Sequence, residues 1–465
     1  MLRRFFNIIN KRNYQESPID DNVEWNNIPS IKCTKEIFLK DYGGSRLFIE
    51  DINKDGIKEF IWLQSAGMFK SKIYDNFSRI NEYNDRIKHK EVFNLAATGP
   101  RGDIIWSNGN PYRGIYPYLC HAPEEFLKFG DVNGDGIDEI LVFDANSNLL
   151  VISPIDGRTI KTINLPSDNF AILYYIKTGV NLFDFVLLLG VMDVGYSGYD
   201  YANPWIILDH NFKIISSSSY KGAGHNAVIA DFNNDGNLEI MIGYQVINLR
   251  GEVLWTIDYW SDKEIDSLEQ HADNIQMYQH HDQIFLSISG SDKQYMINSA
   301  GKTQWIKSLP HPQYNLIGRY NNELRIFVVN QRQIMNSITI KGEEKWRGLL
   351  PEFWPFGDPL NNKINRPIHV NDPVTIIKAQ SATGNDLMIY KEGGWPYIID
   401  FNGSIKYRLE IPPTAKQEKP KVNFYRLNDI GLSYETFVSD VREEGKTEIY
   451  IYNRKYLWVY QIDDF

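Results

Sequence analysis

The sequence predicts an all-β protein with the architecture of a β-propeller, built from seven or eight four-stranded antiparallel blades. Three observations support this prediction. An acidic turn between apolar strands occurs in three gapless copies, a hairpin with a Gly turn recurs, and no linker rich in Pro, Gly or Ser divides the 465 residues. A chain of this length forms either several domains or one large closed β architecture, and the repeats favour the second.

The acidic turn joins two apolar strands in every copy. The copies begin at Phe48, Lys128 and Val228, and each turn has the pattern Asp-x-Asn-x-Asp-Gly-x-x-Glu. A degenerate fourth copy begins at Phe437 and has Arg442 and Glu444 at turn positions 3 and 5. A strand, a tight turn and a second strand at each copy supply half of a four-stranded blade.

The recurring hairpin supplies the other half of the blade. It runs from Val246 to Trp255, from Met296 to Trp305 and from Ile398 to Tyr407, with alternating apolar residues on both arms. Together the two units predict first strands that begin near residues 44, 122, 169, 225, 272, 313, 373 and 433.

The last repeat leaves room for only three strands before the C-terminus. We therefore expect residues 25–39 to supply the fourth strand and to close the ring. This organisation predicts a single propeller domain over residues 25–465, preceded by an N-terminal extension over residues 1–24.

The acidic turns place oxygen atoms at a spacing that suits a hard cation. Side chains at turn positions 1, 3, 5 and 9 and the backbone carbonyl at position 7 approach the six to eight oxygens that calcium prefers. An EF-hand has its Glu six residues after the Gly and is flanked by helices, so these turns are not EF-hands. The alternative is an acidic Asx-turn without metal. We predict about three structural calcium sites, formed by Asp51, Asn53, Asp55, Ile57 and Glu59; by Asp131, Asn133, Asp135, Ile137 and Glu139; and by Asp231, Asn233, Asp235, Asn237 and Glu239.

These turns resemble those of the FG-GAP or VCBS repeat family of β-propellers. The resemblance is carried by the Asp, Asn, Asp and Glu residues of the three gapless copies. It implies that calcium stabilises the blade turns and takes no part in catalysis. The fourth copy departs from the pattern, and Arg442 would replace the ion there by its own guanidinium group.

A second group of residues is predicted at one end of the central channel. Five of the nine histidines fall at the start of a predicted first strand, and in a propeller these positions converge. The preceding loops are rich in aromatic residues and Arg, which stack on sugar rings and pair with carboxylate or sulfate. We predict catalytic roles for His225 and His271, as base or metal ligand, and for Tyr201, Arg113 and Tyr116, as positioning or acid groups. The predicted substrate-binding residues are His121, His311, Arg319, Trp354, Arg366 and His369. For each histidine taken singly, the alternative is a structural residue at a strand end.

The region from Gly222 through Trp255 and the segment from Gln270 to Asp273 resemble the propeller of rhamnogalacturonan lyases. Ulvan lyases are similar propellers that use His and Tyr. The resemblance implies a polysaccharide lyase with histidines in its channel and leaves open a further metal ion there. Such an enzyme would cleave an acidic, uronate-containing glycan by β-elimination. The alternative is a non-catalytic, calcium-stabilised propeller that binds carbohydrate or protein, as a lectin or adhesion module does. The candidate residues differ from blade to blade, which favours one composite site over a repeated lectin pocket.

Composition excludes several other partners. A net charge of −10 argues against nucleic acid, and no apolar segment is long enough to span a membrane. The apolar run after Arg3 and Arg4 is short and interrupted, so no cleavable signal peptide is predicted. Calcium loops nevertheless favour an extracellular or periplasmic location. We expect a monomer whose partner is an acidic polysaccharide or glycan.

Overall fold

The computed structural model describes most of the chain, and nearly all of its regular structure is β-strand. The described residues are 23–43, 46–65, 93–111, 126–146, 148–166, 170–179, 184–190, 202–224, 226–258, 271–280, 283–290, 292–310, 312–330, 334–351, 353, 374–377, 385–390, 395–417, 435–439 and 446–463. They include a 3-10 turn over Trp25–Asn27 and a one-turn helix, α1, over Pro413–Gln417. Within these ranges, neither helical segment has the length and apolar character that crossing a membrane requires.

The described strands form eight sheets, each with four antiparallel strands and one with an additional fifth strand, and every sheet is one blade of a propeller. The chain first forms β1 (Ser30–Ile31) and β2 (Cys33–Phe38), which join the last two blades. Blades 1 and 2 contain, in order, β3 (Arg46–Glu50), β4 (Glu59–Ser65), β5 (Phe93–Thr98) and β6 (Ile104–Gly109), then β7 (Leu127–Gly130), β8 (Glu139–Phe143), β9 (Leu149–Ile152) and β10 (Thr159–Ile163). Blades 3 and 4 contain β11 (Phe170–Ile176), β12 (Phe185–Gly190), β13 (Ala202–Leu208) and β14 (Ile214–Lys221), then β15 (Ala227–Ala230), β16 (Glu239–Ile242), β17 (Gln245–Ile247) and β18 (Val253–Thr256).

The second half of the ring follows the same order along the chain. Blades 5 and 6 contain β19 (Ala272–His280), β20 (Gln283–Gly290), β21 (Lys293–Asn298) and β22 (Thr303–Ser308), then β23 (Pro312–Tyr320), β24 (Glu323–Asn330), β25 (Ile334–Thr339) and β26 (Glu344–Leu349). Blades 7 and 8 contain β27 (Val374–Ile377), β28 (Leu387–Tyr390), β29 (Tyr397–Asp400) and β30 (Ile405–Leu409), then β31 (Glu435–Ser439), β32 (Lys446–Tyr452) and β33 (Tyr456–Asp463). The predicted all-β propeller is confirmed with eight blades, and every first strand begins within five residues of its predicted start.

The N-terminal segment belongs to two blades at once. Strand β2 pairs antiparallel with β33, so that Cys33 lies opposite Tyr460 and completes blade 8. Strand β1 pairs parallel with β30 and adds a fifth strand to blade 7, with Ser30 opposite Arg408. This segment therefore joins the first-made and last-made parts of the ring. The assignment of residues 1–24 to an extension stays a prediction, because residues 1–22 lie outside the described residues.

The apolar core lies in layers between neighbouring blades. The second strands of blades 1 to 4 and of blade 7 are buried along their whole length. Between blades 8 and 1, for example, Ile37 and Leu457 pack with Leu47 and Trp62. The first strands of neighbouring blades contact each other around the centre of the ring. Each blade is therefore stabilised mainly by its two neighbours.

The recurring hairpin is the connection between the third and fourth strands of a blade. In blade 5 the Asn298 side-chain oxygen accepts hydrogen bonds from the backbone N–H groups of Ala300 (3.1 Å) and Lys302 (2.9 Å). Gly301 then turns with φ of 75°, and its Cα lies against the Trp255 ring of blade 4. We call this pairing an outer Gly–Trp contact; the others are Gly157 with Trp106, Gly251 with Trp205, Gly342 with Trp305 and Gly403 with Trp346. These contacts lock consecutive blades together at their outer ends.

Candidate functional site

The three acidic turns connect the first and second strands of blades 1, 2 and 4. In the blade 4 turn, Asp231 Oδ2 accepts the N–H of Gly236 and Asp235 Oδ1 accepts the N–H of Asn237, both at 2.8 Å. Glu239 Oε2 accepts the N–H of Phe232 at 2.8 Å. The turns of blades 1 and 2 form the same set of bonds. These carboxylates therefore shape each turn from within.

Two residues of each turn have left-handed backbone conformation. Position 6 is the Gly of the pattern, with φ between 86° and 88° in all three copies. Position 4 is also left-handed, with φ of 59° at Lys54, 83° at Gly134 and 59° at Asn234. The sequence pattern assigned no constraint to position 4, where the residue type varies. Gly and Asn are the types that adopt this conformation readily, and their presence in two of three copies was the available signal.

The closing glutamate of each turn is held in an environment that disfavours its negative charge. Glu59, Glu139 and Glu239 are each less than 5% exposed. Burial raises the pKa of all three carboxyl groups, and the neighbouring Asp carboxylates of the same turn raise it further. A bound cation would reverse both effects, because it favours the charged carboxylate.

The blade 4 turn has a donor set that fits a hard cation. Carboxylate oxygens of Asp231, Asp235 and Glu239 all lie within 4.8 Å of one another, the one such three-carboxylate group in the described part of the chain. The Asn233 side chain bridges the group, donating to Asp235 (3.0 Å) and to Glu239 (3.2 Å). Oxygen donors at this density suit calcium. The roles of all fifteen predicted ligands, including the carbonyls of Ile57, Ile137 and Asn237, stay predictions.

The blade 2 turn already contains a positive charge. Lys177 Nζ lies 3.7 Å from Asp131 Oδ2, and the Tyr175 hydroxyl donates to the Asp131 carbonyl at 2.9 Å. Both residues belong to the first strand of blade 3 or directly follow it. The Lys177 ammonium group thus places a positive charge beside this turn.

In the degenerate fourth copy, Asp440, Arg442 and Glu444 lie outside the described residues. Glu448 of this copy accepts a hydrogen bond from the Gln461 side chain (2.9 Å).

Two of the predicted channel residues are among the described ones, His271 and Arg319. The others lie outside them, and their predicted roles stay predictions: His225, Tyr201, Arg113, Tyr116, His121, His311, Trp354, Arg366 and His369.

His271 lies directly before the first strand of blade 5 and is 2% exposed. Its Nε2 hydrogen-bonds Asp273 Oδ1 at 2.8 Å, and Asp273 is itself buried. Residues two apart on an extended strand point to the same side, which is why the pair can form. Burial lowers the pKa of His271 to about 3, so the imidazole is neutral near pH 7. Asp273 received no role in the sequence-based prediction, although the spacing His-x-Asp was the available signal.

The segment that precedes the first strand of blade 4 packs against the strand that carries this pair. The Cα of Gly224 approaches the Ala272 carbonyl so closely that a side chain would not fit there. Asn226 exchanges two hydrogen bonds of 3.1 Å with the backbone of Ile275. On the other side, Gly290 lies against the His271 carbonyl, which also accepts the Tyr244 hydroxyl at 3.1 Å. The structure therefore brings together the two segments on which the predicted catalytic histidines lie.

Arg319 lies far from His271. The Asn315 side chain of blade 6 donates to Asn274 Oδ1 of blade 5 at 2.9 Å, which sets the level of the two first strands. His271 lies three residues before Asn274, and Arg319 lies four residues after Asn315. Along the strand direction they are therefore separated by about seven residues, roughly 23 Å. The Arg319 backbone N–H instead donates to Asp386 at 2.7 Å. Arg319 is thus on the end of the propeller that carries the acidic turns, not on the histidine end.

Comparisons with known proteins support the fold. No family model matches the sequence, and no curated protein matches it. Among solved structures, the chain is similar to the rhamnogalacturonan lyase PL11 of Bacillus licheniformis, with 12% identity, coverage of 92% of this chain and 75% of that chain, and a TM-score of 0.54. It is similar to the exotype rhamnogalacturonan lyase YesX, with 12% identity, coverage of 91% and 75%, and a TM-score of 0.52. It is also similar to the V. cholerae biofilm matrix protein Bap1, with 10% identity, coverage of 96% and 90%, and a TM-score of 0.51.

Proposed function

We propose that the protein is a polysaccharide lyase that cleaves an acidic, uronate-containing glycan by β-elimination at the histidine end of the propeller. The observation that carries the proposal is the buried His271–Asp273 pair, on a strand whose backbone packs against the residues on either side of His225. A buried ionisable pair at the start of a first strand, with a strongly shifted histidine pKa, is typical of a functional site. The similarity in fold to two rhamnogalacturonan lyases agrees with this class of reaction.

In this reaction a base removes the proton from C5 of the uronate. The electron pair of that bond forms the C4–C5 double bond, the bond from C4 to O4 breaks, and an acid protonates O4. We assign the base to His225, and the positioning and acid roles to Arg113, Tyr116 and Tyr201. His271 is neutral and buried, so we assign it, with Asp273, to positioning and not to contact with the polymer. Imidazole and carboxylate also bind divalent cations, and a cation held by His225 in the channel would neutralise the uronate carboxylate.

The second candidate is a non-catalytic propeller that binds glycan or protein. The burial of His271 favours it, because a histidine that is 2% exposed is also what a purely structural strand end would show. The similarity in fold to Bap1, a biofilm matrix protein, agrees with a binding role. In this candidate, calcium in the acidic turns would stabilise the blades.

The test is an assay for the unsaturated uronate product, followed by its ultraviolet absorbance. Purified protein with calcium is incubated with rhamnogalacturonan, ulvan and bacterial exopolysaccharides. We expect product with at least one polymer, loss of product in His225→Ala and in Asp273→Asn, and full activity in His210→Ala. His210 is an exposed histidine in the outer hairpin of blade 3 and serves as the matched control. Glycan binding without product from any polymer would reject the lyase and support the second candidate.

A further inference from the structure

The blade 2 turn differs from the blade 4 turn in the charge of its neighbour. Lys177 directly follows β11, the first strand of blade 3, and its Nζ is 3.7 Å from Asp131 Oδ2. The Lys177 side chain is 29% exposed and that of Asp131 is 8% exposed, so solvent screens this pair only partly. The cation side of this turn is therefore already occupied by an ammonium group.

The other contacts of Asp131 agree with this geometry. Its Oδ1 accepts the N–H of Gly134 at 2.6 Å and its Oδ2 accepts the N–H of Gly136 at 3.1 Å. Backbone donors and the Lys177 ammonium therefore already surround this carboxylate. A calcium ion at this turn would have to bind next to a fixed positive charge.

The blade 4 turn has no such charge at the equivalent position. Strand register gives the equivalence: Ile176 lies opposite Phe185 in blade 3, and Tyr278 lies opposite Phe285 in blade 5. The next residues, Lys177 and Gln279, therefore occupy matching places in the blades that follow the two turns. Gln279 carries no charge, and the blade 4 turn holds three carboxylates whose oxygens lie within 4.8 Å of one another.

We propose that Lys177 is an internal cation of the blade 2 turn, so that this turn binds calcium more weakly than the blade 4 turn. The proposal rests on the calcium turns predicted above and adds that they are unequal. Lys54, at position 4 of the blade 1 turn, does not play the same role for its own turn, because its ammonium contacts the Gly136 carbonyl in the blade 2 turn. Two lysines thus direct positive charge toward the blade 2 turn.

The test isolates the blade 2 turn and then changes Lys177. In an Asp55→Ala, Asp235→Ala protein, the other two turns lose a central carboxylate. Calcium affinity is measured by isothermal titration calorimetry, with terbium luminescence as a second readout. Adding Lys177→Gln should tighten calcium binding roughly tenfold, since a unit charge is removed beside a divalent ion. Lys213→Gln, on an exposed hairpin, should leave the affinity unchanged.

Two single substitutions in the otherwise unaltered protein keep the inference testable if the Asp55→Ala, Asp235→Ala protein does not fold. There Lys177→Gln should increase the calcium-induced rise in melting temperature, and Gln279→Lys should decrease it. Unchanged affinity and melting shift in both variants would overturn the inference while leaving the calcium turns standing. Absence of any calcium binding by the unaltered protein would overturn the calcium turns and this inference together.

Discussion

Replacing Gly301 by Ala tests whether the outer Gly–Trp contacts hold the blades together. Gly301 turns the outer hairpin of blade 5 with φ of 75°, and an added Cβ would lie 2.5 Å from the Trp255 ring of blade 4. The substitution therefore introduces two costs, a strained backbone and a clash between blades. Gly236 separates them, because its φ is 88° and nothing lies within 4 Å of the position of its Cβ.

The expected magnitudes follow from these two geometries. Left-handed backbone costs a residue with a Cβ about 1–2 kcal/mol, and this applies to Gly301→Ala and Gly236→Ala alike. Overpacking against the Trp255 ring adds about 1–3 kcal/mol for Gly301→Ala only. The unfolding entropy of about 2.1 cal/mol/K per residue gives about 1 kcal/mol/K for 465 residues. The melting temperature should therefore fall by about 2–5 °C in Gly301→Ala and by about 1–2 °C in Gly236→Ala.

Scanning calorimetry in the presence of EDTA measures both variants without a contribution from metal at Gly236. Trp255→Phe provides a further check, because a smaller ring leaves room for the Cβ. Gly301→Ala should then cost less in the Trp255→Phe background than in the unaltered protein. Equal losses of melting temperature in Gly301→Ala and Gly236→Ala would refute the view that these contacts lock neighbouring blades.

Three further predictions concern pH, calcium and ring closure. Because burial lowers the pKa of His271 to about 3, the unfolded chain binds its proton first as the pH falls below about 6.5, and stability should drop by about 1.4 kcal/mol per pH unit. Denaturant titrations between about pH 6 and about pH 4 should approach this slope, and its persistence in His271→Asn would contradict the assignment. The raised pKa of Glu239 means that the metal-free protein loses stability as the pH rises through that pKa; calcium should compensate, so its effect on the melting temperature should be larger near pH 7.5 than near pH 5, and a pH-independent effect would contradict it. Deleting residues 1–38 removes β1, β2 and the buried Ile37 side chain, so circular dichroism should show loss of the cooperative melt; an unchanged melt would show that the ring does not need β2.

The repeats made most of the fold predictable. The first strands of blades 1, 2 and 4 end in an acidic turn, and the outer hairpins mark the third and fourth strands of other blades, so local patterns located most strands. The outer Gly–Trp contacts were not predictable in the same way, because Gly301 and Trp255 belong to different repeats and no pattern within one repeat shows their pairing. Contacts between blades depend on how the ring closes, which periodicity does not encode.

The candidate site was predictable only in outline. Spacing placed His271 at the start of a first strand, as observed, but spacing does not report depth, and the side chain is buried. The sequence pattern placed Arg319, like His271, in or beside a first strand. Because β23 is nine residues long, Arg319 lies near the opposite end of the propeller. Lys177 was missed because its partner, Asp131, lies in the preceding blade.

The pairing of β2 with β33 has a consequence for synthesis of the protein. Thr34 donates a hydrogen bond to the Val459 carbonyl, a contact that spans 425 positions of the chain. At about 5–20 residues per second, a ribosome needs roughly 20–85 s to make that intervening length. Throughout this period the strand edge of Cys33–Phe38 lacks its partner, although seven blades can already have formed. The nascent chain thus exposes an unpaired strand edge until β33 has been synthesised. When several ribosomes translate the same mRNA, this edge would favour exchange of β2 between neighbouring copies.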